Sequence, residues 1–162
     1  MTGIGMAGLA LAAAAVAGCA TESRQAASAQ SVDVPLAAAR TNAGEVGRAT
    51  LVPTRDDKTQ VRIVVSGVPG HVSRPVHLYS AIHGGRCGNL STQAAYELDR
   101  RVLAGSTSNP TAMSTTVGGP LEVTNIAPVP LATLQGKPHA IAVRTSPADG
   151  SQEIFCGDIP TA

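Results

Sequence analysis

The sequence predicts an all-β domain, an antiparallel sandwich or barrel of about seven to eight strands. Beyond Gly47 the chain breaks into short runs rich in β-branched residues, with Gly, Pro, Asn and Asp between them. Where a run is long enough to show a period, that period is two residues. No apolar repeat of 3.6 residues is sustained over the length of a helix.

The strand-like runs are residues 48–52, 60–66, 75–82, 114–117, 121–126, 140–145 and 153–159. In the second, Val61, Ile63 and Val65 share one face while Arg62 and Val64 take the other, the pattern of a half-buried strand. Arg55-Asp56-Asp57-Lys58 is a polar turn joining the first two runs into a hairpin, and Val68-Pro69-Gly70 ends the second. In residues 75–82, Val76, Leu78, Ser80 and Ile82 alternate with His77, Tyr79 and Ala81, so His77 and Tyr79 project from the side opposite the aliphatic core. Residues 84–112 read as an irregular stretch, marked by Gly105-Ser106-Thr107-Ser108-Asn109-Pro110, and connections of that length often carry function.

Ahead of the domain, residues 4–17 are apolar, small and uncharged. That length suits a signal-peptide core and falls short of the roughly 20 residues needed to span a bilayer. The core closes on Val16-Ala17-Gly18-Cys19, which resembles the lipobox of a bacterial lipoprotein. The organisation expected is a signal peptide over 1–18, a lipid-anchored flexible tether over 19–43 and one domain over 44–162. A tether of that Ala, Ser, Gln and Gly composition would hold the domain roughly 25 to 30 Å from the membrane. The implied partner is a membrane, through lipid on Cys19, and the implied location is the cell envelope. Ala20-Thr21 lacks the Asp of an inner-membrane retention signal, which favours the periplasmic face of the outer membrane in a two-membraned bacterium.

Twelve Lys and Arg against eleven Asp and Glu offer no charge excess for a nucleic acid, and two Tyr, one Phe and no Trp supply almost no stacking platform. With Cys19 lipidated, Cys87 and Cys156 remain, and an even pair in an exported protein is read first as a disulfide. No Cys-x-x-Cys spacing supports a redox or metal role for them. Catalytic signatures are missing: there is no Gly-x-Ser-x-Gly elbow, no phosphate-cradling Gly loop, and the acidic residues are dispersed. The chemical signal is histidine. His71, His77 and His83 fall within thirteen positions just before Cys87, and His139 follows later. His77, Tyr79 and His83 are the candidate metal residues. On a regular strand, however, His77 and His83 would stand about 20 Å apart, and His139 reads as a satisfied edge histidine.

The runs His77-Leu-Tyr-Ser-Ala-Ile-His83-Gly-Gly-Arg-Cys87, His139-Ala-Ile-Ala-Val-Arg144 and Phe155-Cys-Gly-Asp-Ile-Pro160 together resemble the copper/zinc superoxide dismutase-like family and its secreted bacterial relatives, over about residues 44–160. The resemblance implies an eight-stranded Greek-key sandwich and a Cys87–Cys156 disulfide. It also implies a degenerate metal site. Of the early copper pair only His77 matches, the second position being Tyr79, and no His lies between residues 84 and 138, where the bridging and zinc ligands belong. Arg144 stands at the last copper position, and Glu153 is the nearest match to the Arg that guides superoxide in active members.

The expected function is a non-catalytic binding or structural protein of the envelope, exported as a lipoprotein, with no cofactor. Its partner would be an envelope protein or small ligand, or a second copy of the chain. The alternative is a divergent copper-binding protein or superoxide dismutase using His77 and His83.

Overall fold

The computed structural model describes residues 31–74, 76–98 and 120–162, and the period-2 segments in them become antiparallel strands. They are β1 (Val32–Ala38), β2 (Gly47–Pro53), β3 (Thr59–Val65), β4 (Leu78–Arg86), β5 (Asn89–Glu97), β6 (Leu121–Ala127), β7 (His139–Thr145) and β8 (Glu153–Ile159). The α-helix found among the described residues is one short turn, α1 (Leu131–Gln135), and no described helix is long and apolar enough to cross a membrane.

The strands lie in the order β5-β4-β7-β8-β1-β2-β3-β6. β4 sits beside β7 and β3 beside β6, neighbours far apart in sequence, so the chain crosses between sheets in the Greek-key manner. β1 links the two halves of this curled sheet. Its residues Val32 to Leu36 pair with β2, and then Ala37 and Ala38 pair with β8. A strand that changes sheets makes the corner of a sandwich.

Alternation decides which face is buried. Val61, Ile63 and Val65 of β3, Leu78 and Ile82 of β4, and Ile141 and Val143 of β7 point into an aliphatic core around Phe155, the single Phe of the chain. Gly157 of β8 faces the same interior. A Cβ there would lie 2.5 Å from the Pro35 carbonyl oxygen and 2.6 Å from Leu36 Cδ2, so only glycine lets β8 approach β1 this closely.

Three expectations are corrected. The tether over 19–43 runs too far, because Val32–Ala38 is a strand of the domain. Val34 and Leu36 bury their side chains while Asp33 and Pro35 face outward, and the cross-strand partners hold a segment whose Pro and Ala residues have little strand propensity of their own. Likewise, the stretch 84–112 begins with the end of β4 and continues into β5, an edge strand among the described residues in which Leu90, Ala94 and Tyr96 are half-buried and the rest is exposed. β4 starts at Leu78, so His77 precedes the strand instead of belonging to it. Residues 1–30, with Cys19, and the expected strand 114–117 lie outside the described residues.

Cys87 and Cys156 are disulfide-bonded, with Cα atoms 5.8 Å apart and a sequence separation of 69. Closing a loop of that size removes enough unfolded-state entropy to stabilise the fold by about 4 kcal/mol. Cys87→Ser and Cys156→Ser should each lower unfolding free energy by about that much, and the double variant little further, because either change opens the same loop. Urea unfolding of the three variants checks this, and additive losses would contradict it.

Candidate functional site

The site is built by a bent hairpin. β4 and β5 are joined through Cys87 and Gly88, with Arg86 opposite Asn89. The β4–β5 register slips twice, between Ile82 and His83 and again between His83 and Gly85. Gly85 takes φ +101° at the second slip, where a Cβ would sit 2.4 Å from the Asn89 carbonyl oxygen. Such bulges bend a hairpin. The bend carries the tip across β7 to β8, where Cys87 meets Cys156.

Cys156 pairs with Ala142, one position away from the core pair Val143–Phe155, so the crosslink lies on the outer face of the sheet. Asp158 of β8 adds two more ties. Its Oδ1 accepts from the Cys87 backbone N–H at 2.7 Å, and its Oδ2 lies 3.7 Å from Arg86 Nη1. β7 presents only Ala140 and Ala142 beneath this crossing, and both are buried.

Between the hairpin and β7 lies a groove of about 410 Å³. Tyr79, Ala81 and His83 enter it from β4, and Ala142 and Arg144 from β7. β5 contributes Thr92, Gln93 and Glu97, the end of β7 contributes Thr145, and the β7–β8 connection contributes Ser151. Arg144 is in register with Tyr79 on one side and Glu153 on the other. It also lines an adjoining groove of about 360 Å³ together with Thr92 and Glu153. Its Nε is buried and meets no hydrogen-bond acceptor among the described residues.

His83 is buried on the groove wall, and its Nδ1 lies 2.9 Å from the Ser91 carbonyl oxygen. A carbonyl can only accept, so Nδ1 carries a proton and donates it to Ser91. Ser91 also braces the bend through its hydroxyl, which accepts from Gly84 N–H and donates to the Gln93 carbonyl.

The far rim is held by Asp149, which ends a 3₁₀ turn (Pro147–Asp149). Its Oδ1 accepts from both the hydroxyl and the backbone N–H of Ser73, and its Oδ2 accepts from the Ser146 hydroxyl. The Ser73 hydroxyl, then that of Ser146, then the Ser73 backbone hold the Asp149 pKa below its ordinary value. Thr145 and Ser151, on either side of this turn, are joined to the same network through Gln152 N–H and the Ser146 carbonyl.

Of the candidate metal residues, Tyr79 and His83 meet in the groove, whereas His77 stands ahead of β4 and outside the groove lining. Among the described residues no three His, Cys, Asp or Glu side chains are grouped to hold a metal ion. His139 is not an edge residue. It is buried at the start of β7, its Nδ1 donates to the Leu134 carbonyl at 3.0 Å, and its Nε2 has no partner among the described residues.

No protein-family model matches the chain, and no curated protein or solved structure does. The groove itself carries the functional reading. Sequence reasoning placed Arg144 only as an obstacle to a metal, read Asp149 as one of several dispersed acidic residues, and overlooked Thr92 and Gln93. A lone cation inside the apolar run Ala140-Ile-Ala-Val-Arg144 was the available signal for the first.

Because the native pKa of Asp149 is depressed, its stabilisation is fully present above the unfolded carboxylate value of about 3.9 and is lost as pH falls through the lower native value. The difference in urea midpoint between wild type and Asp149→Asn should be level above about pH 5 and close on acidification below about pH 4. A difference that widens on acidification would contradict this role.

Proposed function

We propose that this protein is an exported lipoprotein, anchored through Cys19, whose superoxide dismutase-like domain acts as a non-catalytic binding module of the cell envelope. The observation that carries the reading is the guanidinium of Arg144 in the one groove where two of the candidate metal residues meet. An arginine stays protonated at any physiological pH and cannot ligate an ion. The remaining metal-ligating side chains of the lining are one imidazole, on His83, one phenol, on Tyr79, and one carboxylate, on Glu97, and no three His, Cys, Asp or Glu among the described residues are grouped to hold an ion, so these do not make a copper coordination set. No dismutation step is therefore derived for this site. Eight antiparallel strands with Greek-key crossings, and a disulfide joining Cys87 to Cys156, agree with what the residue pattern implies for the family. A fold of this kind does not by itself bring an activity with it.

Titration of the metal-free, detergent-solubilised full chain with Cu(II) and Zn(II) should show no tight one-to-one site, and His83→Ala should behave as wild type. Stoichiometric copper binding that disappears in His83→Ala would replace this reading with the copper-protein alternative. The anchoring half of the proposal is tested apart from the metal. Cys19→Ser should move the protein from the membrane fraction to the soluble fraction and abolish labelling by a radioactive fatty acid. Unchanged labelling would refute lipidation at that residue.

A further inference from the structure

We propose that Arg144 receives the carboxylate of a small, singly charged organic acid, whose apolar body lies on Ala81, Ala142 and the ring of Tyr79. The inference rests on the metal-free reading above and names the ligand class of the same groove.

The first support is the state of Arg144. Its Nε is buried with no acceptor among the described residues, although its neighbours in register include Glu153. A guanidinium N–H withdrawn from water without a partner is unfavourable, and an incoming acceptor removes that penalty. The planar guanidinium fork matches a carboxylate better than any other common anion of small molecules except phosphate.

The second support is charge. Glu97 lines the groove, and Glu153 lines the adjoining one next to Arg144. Among the described lining residues of the two grooves Arg144 is the one Lys or Arg, and the Glu153 carboxylate stands in register beside it, so a second negative charge on the ligand would be repelled there. That selects a monocarboxylate over phosphate or a dicarboxylate.

The third support is shape. A groove of about 410 Å³ is of the size that holds small molecules, about 300 to 1,000 Å³. Its floor between Arg144 and the hairpin is made by Ala81 and Ala142, whose short side chains leave a shallow apolar bed beside the partly exposed ring of Tyr79. Thr92 stands at the junction with the second groove, beside Arg144, as a hydroxyl for a carboxylate oxygen.

The test uses the detergent-solubilised full chain and ligand-observed fluorine NMR, with 4-fluorobenzoate as the probe and neutral 4-fluorobenzamide as its near-isostere. Saturable line broadening by 4-fluorobenzoate in the millimolar range is expected. The amide should bind at least about tenfold more weakly, Arg144→Lys should weaken the acid about tenfold, and Arg144→Met should abolish its binding. Inorganic phosphate should not displace the probe. Equal binding of acid and amide, undiminished binding by Arg144→Met, displacement by phosphate, or no saturable binding of the acid would each overturn the inference. The acid–amide comparison needs no variant, so it decides even if Arg144→Met fails to fold. Loss of this inference leaves the metal-free reading intact, because that reading fails only on the copper titration.

Discussion

The position of the β4–β5 hairpin depends on one covalent constraint, the bond between Cys87 at its tip and Cys156 in the middle of β8. Left to its pairing with β4, β5 would be a polar edge strand with only Leu90, Ala94 and Tyr96 partly buried, a poor source of hydrophobic stabilisation. The crosslink supplies what the strand lacks. It draws the tip over β7, and the Asp158 contacts to Cys87 and Arg86 add direction to a bond that by itself sets only distance. The bulges at His83 and Gly85 let the ladder continue through the bend.

The same stretch of β8 serves three surroundings in three consecutive residues. Phe155 fills the core, Cys156 takes the crosslink on the outer face, and Gly157 turns back to the interior with no side chain, so that β1 can close on β8. This close approach is what allows β1 to leave β2 after Leu36 and pair with β8 at Ala37. Sheet closure and groove formation are therefore coupled through residues 155–157. The exposed Arg62–Glu122 pair between β3 and β6, at 2.7 and 2.8 Å, contributes far less, since solvent screens it and its side chains lose freedom.

The groove departs from what stability alone would select. An aliphatic residue at position 144 would sit beside Ala142 without a buried, unanswered N–H. An arginine with its Nε buried and unpartnered among the described residues is a local cost in the folded state, and such costs concentrate where a protein meets a ligand. The rim formed by Asp149 and Ser73 has the opposite character, with each carboxylate oxygen satisfied, and gives the groove a firm edge.

From the sequence alone, β-branched runs bounded by turn residues were enough to place β2, β3, β6, β7 and β8, and period-2 alternation gave the core faces of β3 and β4, because burial on one side of a strand writes itself into neighbouring residues. Setting Cys19 aside for lipid, as the run that ends at it suggests, left Cys87 and Cys156 to be read as a pair. β1 and β5 were not legible. Val32-Asp33-Val34-Pro35-Leu36 is too short and too interrupted by proline to declare a strand, and Asn89–Glu97 is too polar. Both are strands because partners distant in sequence offer them hydrogen bonds, which overrides a local propensity worth about 1 kcal/mol at most. For the same reason, Tyr79, His83 and Arg144 form one groove while His77 stands apart. That assembly depends on strand register and on where the hairpin is pinned, properties of long-range pairing that no local period encodes.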